Sequence, residues 1–481
     1  MEGVGQGGKG GFEFIKVDGL AKAIGTSEPG LRFLIALLIG YPLALLYHAT
    51  VARASPIVKN LYFTIFGLNI LYFCFAQDFV YPAISILVTY IVLVLIGGTR
   101  ASVFVLFSFN MGYLIVGYIF TSSDSYDIKW TTPQCILCLR LIGLAWDCYD
   151  GKRPKEVLSN DQKLTALDRI PTLLEICGFS FFYGAQMAGP QFPMKRYIAF
   201  IEGTLIDENA EKNGGSRFVA GFLRFSLGVV FLVSFVLLDP VYPTYHILTK
   251  DFLDAPLWKK CIEVVFWYQI MFLKYIFVWL FAEGCCILTG LGYNGVNKDG
   301  KAKWDGLKNI RITKYFTGYY LETLVHCFNV NTNEWVAKYV FKRLRFLGNK
   351  NISHLTALLF LAIWHGFYIG YFLTFASEFV IIVLQRQFAD NVHHFTGLVF
   401  DDLSLPIKCL LIPFMYVFKH VAFAYSVIPF ALLRWRRTKV VYGSMYYIGT
   451  VITLVVIVVN LSIWFYRQSK KPKVKDSAKT K

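Results

Sequence analysis

Long apolar runs, separated by short polar and basic joints, fill the chain from Leu31 to Tyr466. Crossing a hydrocarbon core of about 30 Å takes about 20 mostly apolar helical residues. Ten runs approach that length: Leu31–His48, Ile57–Phe75, Phe79–Gly97, Ala101–Phe120, Thr131–Trp146, Phe218–Leu238, Ile262–Leu288, Leu355–Phe375, Pro406–Leu433 and Ser444–Tyr466. With the ambiguous segments added, the pattern predicts an all-α, polytopic integral membrane protein of ten to twelve helices.

Three stretches break the rhythm. Residues 1–30 are Gly-rich and then mildly amphipathic, without the basic and apolar order of a signal peptide; Gly3 to Gly11 reads as disordered. Leu173–Pro190 is apolar but punctuated by Gly and Pro, ending in Gly189-Pro190. It reads as re-entrant or interfacial, which is tolerated only where protein buries the backbone. Between Leu288 and Leu355 basic residues accumulate. Within Glu334–Leu347, Val336, Val340, Leu344 and Leu347 recur at helical spacing, and Lys338, Lys342 and Arg345 share another face. That predicts one amphipathic helix at a basic, cytosolic membrane surface. Basic clusters flank the last run on both sides, and the longer one, the tail, is assigned to the cytosol. The chain thus divides into an N-terminal segment (1–30), a membrane-embedded body (31–466) and a basic tail (467–481).

Composition narrows the function classes. Only 16% of the 481 residues are charged and 56% are hydrophobic, against about a quarter charged in soluble domains. The net charge of +17 sits in the joints between runs, so it suits anionic lipid or an anionic cosubstrate and not nucleic acid. The ten cysteines form no disulfide framework. Cys135 and Cys138 make a lone CxxC, so no metal site is expected. Gly290, Gly292 and Gly295 spell GxGxxG, but that fingerprint needs a strand before it. Here it follows an apolar run and reads as a turn at the membrane boundary.

The chemistry points elsewhere. His365 lies inside Leu355–Phe375, and ionisable residues within spans are functional by default. Histidine is the natural general base near neutral pH. Upstream, Phe328-Asn329-Val330-Asn331-Thr332-Asn333-Glu334-Trp335 is dense in asparagine. Asn329 is a candidate to orient a hydroxyl or to donate to an oxyanion, although asparagines here also suit helix capping.

Trp364-His365-Gly366 followed by Gly370-Tyr371, with that upstream aromatic–Asn pair, resembles the membrane-bound O-acyltransferase superfamily. The likeness is nearer to its lysophosphatidylcholine acyltransferase branch. Further blocks carry it: Phe341-Lys342-Arg343-Leu344, Phe346 to Lys350, Ile287 to Gly292, Lys301 to Asp305 and Gly189-Pro190-Gln191-Phe192. They come from both halves of the chain, so the likeness covers essentially all of it. The family often has Trp-Asn where this chain has Phe328-Asn329.

The resemblance implies a multi-pass endoplasmic reticulum enzyme with about eleven spans around a catalytic tunnel. Its catalytic His and Asn fall on His365 and Asn329. The expected reaction moves a fatty acyl group, with polyunsaturated chains favoured, from acyl-CoA to the sn-2 hydroxyl of lysophosphatidylcholine or a related lysophospholipid. Acyl-CoA is a cosubstrate, and no cofactor is expected. Lys338, Lys342 and Arg345 are expected to meet the acyl-CoA headgroup. Membrane lipids, and optionally a second copy of the chain, complete the partners. Acylation of another headgroup, a protein or a sterol is the alternative within the superfamily, with a transporter further off.

Overall fold

The computed structural model describes residues 16–122 and 128–470. Gly3 to Gly11 and the basic tail from Lys471 onward lie outside them. Among these residues the structure is helical, and its β-pairing amounts to two isolated bridges, Val296 with Ala302 and Ile310 with Phe328.

Among the described residues, eight helical stretches are long and apolar enough to cross a membrane. The difference from the ten expected runs has local causes. The runs at Ile57–Phe75 and Phe79–Gly97 join through a 3₁₀ turn, Ala76–Phe79, into one stretch from Pro56 to Ile96. Thr131–Gly151 is helical as expected, but it carries Arg140, Asp147 and Asp150. Leu355–Phe375 is not one span. The helix stops at His365 because Gly366 takes φ 128°, a conformation that side chains disfavour, and a new helix begins at Ile369.

Packing separates two compact units. The first takes the chain up to Val241, Ile270–Tyr315 and His326–Phe367. It contains α1 (Glu28–Leu38), α2 (Gly40–Thr50), α3 (Pro56–Phe75), α4 (Val80–Ile96), α5 (Arg100–Thr121), α6 (Thr131–Gly151), α7 (Leu173–Ser180) and α8 (Arg217–Leu238). The later part of α9 (Leu257–Thr289), α10 (Val330–Val336) and α11 (Lys350–His365) complete it. A short helix, Asp18–Ala23, precedes them and sets Val17 and Ala21 against Leu31.

The core of this unit is aromatic. Phe63, Phe182, Tyr183 and Tyr197 are buried together, with Phe63 and Phe182 ring centroids 4.9 Å apart. Gly67 lets α3 approach the chain beyond α7, since a Cβ there would lie 1.9 Å from the Phe181 carbonyl oxygen. The segment after α7 is not helical, and protein buries it, as its broken pattern requires. Its carbonyls therefore need donors, and Arg140 supplies them from α6. Nη1 donates to the Phe179 and Ser180 oxygens (3.1 and 3.3 Å), and Nη2 to those of Ala185 and Pro190 (2.8 and 3.2 Å). The guanidinium, 2% exposed, also lies over the Phe192 ring at 4.5 Å.

The second unit holds Tyr242–Gln269, Phe316–Val325 and the chain from Tyr368. Its long helices are α12 (Ile369–Thr396), α13 (Leu405–Leu432) and α14 (Ile448–Ser469). Gly370 N donates to the Leu433 oxygen at 2.9 Å, and Thr374 Oγ1 to the Ser426 oxygen at 2.9 Å. A buried Lys260 caps the Leu253 and Ser444 carbonyls, each at 2.7 Å. α14 buries none of its residues, and most of its Val, Ile and Leu side chains are exposed.

Arg140→Met should leave the Phe179, Ser180 and Pro190 carbonyls without a donor, each costing on the order of 1–3 kcal/mol, while Ala185 O keeps the Gly189 N–H. The expected result is little monodisperse protein on detergent size-exclusion chromatography, with Arg140→Lys intermediate. A Met variant that elutes and melts like wild type would refute this role.

Candidate active site

Asn329 immediately precedes α10 and sits in the left-handed region, φ 49° and ψ 46°. Its neighbours impose that conformation. The Phe328 ring stacks on Phe272 at 4.7 Å and meets Trp279 edge-on at 4.6 Å. The backbone is tied on both sides, Arg311 N to the Cys327 oxygen and Val330 N to the Asn309 oxygen, each at 2.9 Å. Asparagine tolerates left-handed geometry better than most residues.

The three asparagines differ in their amides. Asn331 Nδ2 donates to the Leu307 oxygen and Asn309 Oδ1, both at 3.2 Å. Asn333 Nδ2 donates to the Phe328 oxygen at 3.0 Å. The Asn329 side chain, half-buried, makes no hydrogen bond among the described residues. The two downstream asparagines hold the turn together, while Asn329 keeps its amide for something else.

His365 ends α11. Trp364 beside it is held from two helices: Tyr118 Oη on α5 donates to its carbonyl at 3.0 Å, and its Nε1 donates to the Cys135 oxygen on α6 at 2.9 Å. The His365 ring stands edge-on to the Trp364 ring, centroids 4.7 Å apart.

A helical hairpin links the two residues. Ser353 Oγ donates to the Leu344 oxygen at 3.2 Å, Phe341 meets His354 at 6.3 Å, and Trp335 stacks on Phe360 at 5.8 Å. These pairs step in opposite directions, so the two arms run antiparallel.

The descending arm is not the single α-helix that spacing predicted. It runs as α10, a π-helical turn at Ala337–Phe341 and a 3₁₀ turn at Lys342–Leu347. Acids on α6 and beyond it draw its side chains to one face. Tyr339 Oη donates to both Asp147 carboxylate oxygens (2.8 and 3.0 Å), and Arg343 Nη1 donates to Asp150 Oδ1 at 2.8 Å. Lys338 donates to Thr165 Oγ1 and lies 3.9 Å from Asp147, and Lys342 pairs with Asp161. The Lys342 ammonium holds the Asp161 carboxyl below its ordinary pKa, and burial holds the Lys338 ammonium below its own. Of the three expected headgroup cations, Lys338 and Lys342 are thus ion-paired, and Arg345 is exposed.

Beside this arm lies a cavity of about 140 Å³, walled by Arg140, Asp147, Gln191, Asn331, Trp335 and Lys338 among others. Sequence reasoning passed over Arg140, although it is an ionisable residue in an apolar run and the argument that singled out His365 applies to it equally. Nothing in the pattern marks Tyr118, and Cys135 stands out there only as half of a lone CxxC. Gly290 follows the 33-residue helix α9 directly, with no strand before it, so the GxGxxG stretch is a turn.

The hairpin carries Asn329 just before its first helix and His365 at the end of its last, in a chain with helices long enough to span a membrane. The chain belongs to the membrane-bound O-acyltransferase family, whose sequence profile matches residues 115–428. It is an O-acyltransferase embedded in a membrane by several helices. It is 39% identical to human "Lysophospholipid acyltransferase 5" over 448 residues, covering 92% of this chain and 91% of that protein. Proteins of the same name from Drosophila melanogaster and Caenorhabditis elegans are 36% and 34% identical. The alignments cover 90% and 92% of this chain, and 87% and 93% of those proteins.

Asn329→Gly removes the amide and keeps the left-handed backbone. It should melt within about 3 °C of wild type and lose on the order of 10²–10³-fold in kcat. Asn331→Ala should show the reverse, a lowered melting temperature with most of kcat kept in the folded fraction. Inactivation by Asn331→Ala without loss of stability would move the role to that residue.

Proposed function

We propose that this protein transfers a fatty acyl group, polyunsaturated chains preferred, from acyl-CoA to the free sn-2 hydroxyl of lysophosphatidylcholine and related lysophospholipids. The setting is phospholipid remodelling in the endoplasmic reticulum membrane. One observation carries the reading: relatives named lysophospholipid acyltransferase 5 match nine-tenths of the chain, through the hairpin that bears Asn329 and His365.

In this mechanism His365 accepts the proton of the sn-2 hydroxyl as its oxygen attacks the thioester carbonyl. The Asn329 amide donates to the oxyanion that develops there. Collapse of the tetrahedral species expels the CoA thiolate, which takes the proton back from the imidazolium. A thioester is already activated, so aligned substrates, a base and an oxyanion donor suffice, and no covalent enzyme intermediate is required. Both lipids carry long chains, which accounts for chemistry inside a membrane domain.

The donor's phosphates stay in water. Arg345, exposed, and Lys342, paired only with the partly exposed Asp161, are the cations that would meet them through charge-assisted hydrogen bonds. Lys338, the third residue of that set, is held by Asp147 and Thr165 and sits deeper.

His365→Ala should abolish transfer from radiolabelled arachidonoyl-CoA to a panel of lysolipids, a loss of roughly 10²–10⁴-fold, with expression and melting temperature near wild type. More than about a tenth of wild-type activity would end the general-base role, since such groups contribute far more than tenfold. A panel in which only a sterol or a peptide accepts the acyl group would overturn the lysophospholipid assignment.

Lys342→Gln with Arg345→Gln should raise KM for acyl-CoA about tenfold in neutral detergent, with KM for the lysolipid little changed. An unchanged acyl-CoA KM would leave these residues only a lipid-anchoring role.

A further inference from the structure

In the second unit α13 and α14 are each long and apolar enough to cross a membrane, and a ten-residue helix, Trp435–Ser444, joins them. Two residues precede it and three follow it. Joints that short keep the helix at the boundary where hydrocarbon meets water.

One side of this helix is packed. Thr438, Val441 and Tyr442 are buried. The Tyr442 ring stacks on Tyr425 with centroids 4.2 Å apart, and its Oη donates to the Tyr425 oxygen at 3.0 Å. Buried Lys260 donates to the last carbonyl of the helix, that of Ser444, and the Arg437 guanidinium lies over the Tyr245 ring at 5.4 Å. The joints are equally determined. Leu433, Tyr446 and Tyr447 all take left-handed backbone, with φ of 63°, 54° and 50°, which persists only where the surroundings over-determine it. The helix is a rigid platform in place before anything binds.

The other side is open. Arg436 and Lys439, one turn apart, are exposed and form no ion pair among the described residues. The chain carries no Asp or Glu between Leu403 and Lys475, so the platform brings no counter-ion of its own. Around the two cations Trp435 is 46% exposed, Val440 49% and Tyr446 73%. A face turned wholly to water has no use for those apolar groups, and a face turned wholly to hydrocarbon would not hold two cations. Their mixture fits the headgroup layer, where aromatic rings and aliphatic groups meet the ester region and cations meet phosphate.

We propose that the Trp435–Ser444 helix is a binding platform for anionic phospholipids of the surrounding leaflet, in which Arg436 and Lys439 hold the headgroup phosphate and Trp435 lies beside the glycerol esters. A zwitterionic headgroup carries its own cation, so two uncompensated charges select a lipid of net negative charge. The platform is separate from the hairpin and takes no part in the transfer assigned to Asn329 and His365.

Brominated lipids quench tryptophan on contact, and subtracting the emission of Trp435→Phe from that of wild type isolates Trp435. In nanodiscs of phosphatidylcholine, a small fraction of brominated phosphatidylserine should quench Trp435 roughly tenfold more efficiently than the same fraction of brominated phosphatidylcholine, as expected for two cations near a charged surface. Arg436→Gln with Lys439→Gln should abolish that preference and leave quenching by the neutral lipid unchanged. Soluble glycerophosphoserine should not relieve the quenching; relief would assign the cations to a free phosphate ester and overturn the lipid platform. Equal quenching of wild type by the two brominated lipids overturns it as well, and that result needs no variant to fold. So does a double variant that keeps the preference. A Trp435 that neither lipid quenches places the face in water, free for an acidic protein segment, and ends the proposal.

Discussion

Inside a membrane domain no water is at hand to satisfy a free carbonyl, so any break in a helix needs its own donors. The segment beyond α7 is such a break, and Arg140 answers it with four hydrogen bonds from one side chain. Burying a cation is costly; here the carbonyl oxygens and the Phe192 ring offset the loss of water. The position of α6 follows from that clamp, and with it the positions of Asp147 and Asp150 one helical end away. Those acids in turn hold the hairpin arm through Tyr339 and Arg343. The first unit is thus a chain of dependencies from one buried guanidinium to the arm that begins at Asn329.

Asn329 shows what that rigidity achieves. Its left-handed backbone persists because Phe328 is caged by aromatic rings and Val330 and Asn331 are tied to Asn309. Local strain of this kind survives only where the surroundings over-determine it, and it gathers at functional sites. The neighbouring asparagines meet the needs of the turn, and the Asn329 amide makes no hydrogen bond among the described residues. On the other arm, Gly366 ends α11 at the histidine itself, so the imidazole sits at a helix end and not in the middle of a span.

Much of this was legible in the chain. Apolar runs of membrane-crossing length, an ionisable residue within one of them and an asparagine-dense turn each have a local physical signature. So does the Gly- and Pro-broken stretch, whose need for a protein cover follows from its backbone alone. The amphipathic reading of Glu334–Leu347 was less complete. Spacing put the basic residues on one face, but it did not reveal that Asp147, Asp150 and Asp161 would bind that face and accompany π and 3₁₀ turns.

By itself, the sequence determined the class: an all-α membrane protein with a histidine inside an apolar run and an asparagine-dense turn upstream of it. Hydrophobic length and the cost of burying an ionisable group are properties of single residues and short runs, so pattern suffices to read them. Only the tertiary structure decided which asparagine keeps its amide and where the helix bearing His365 stops. It also decided that Arg140 and Gln191, far apart from Asn331 in sequence, line one cavity. Those outcomes depend on which carbonyls lack donors and which carboxylates lie opposite which cations, and such pairings exist only after distant segments have packed.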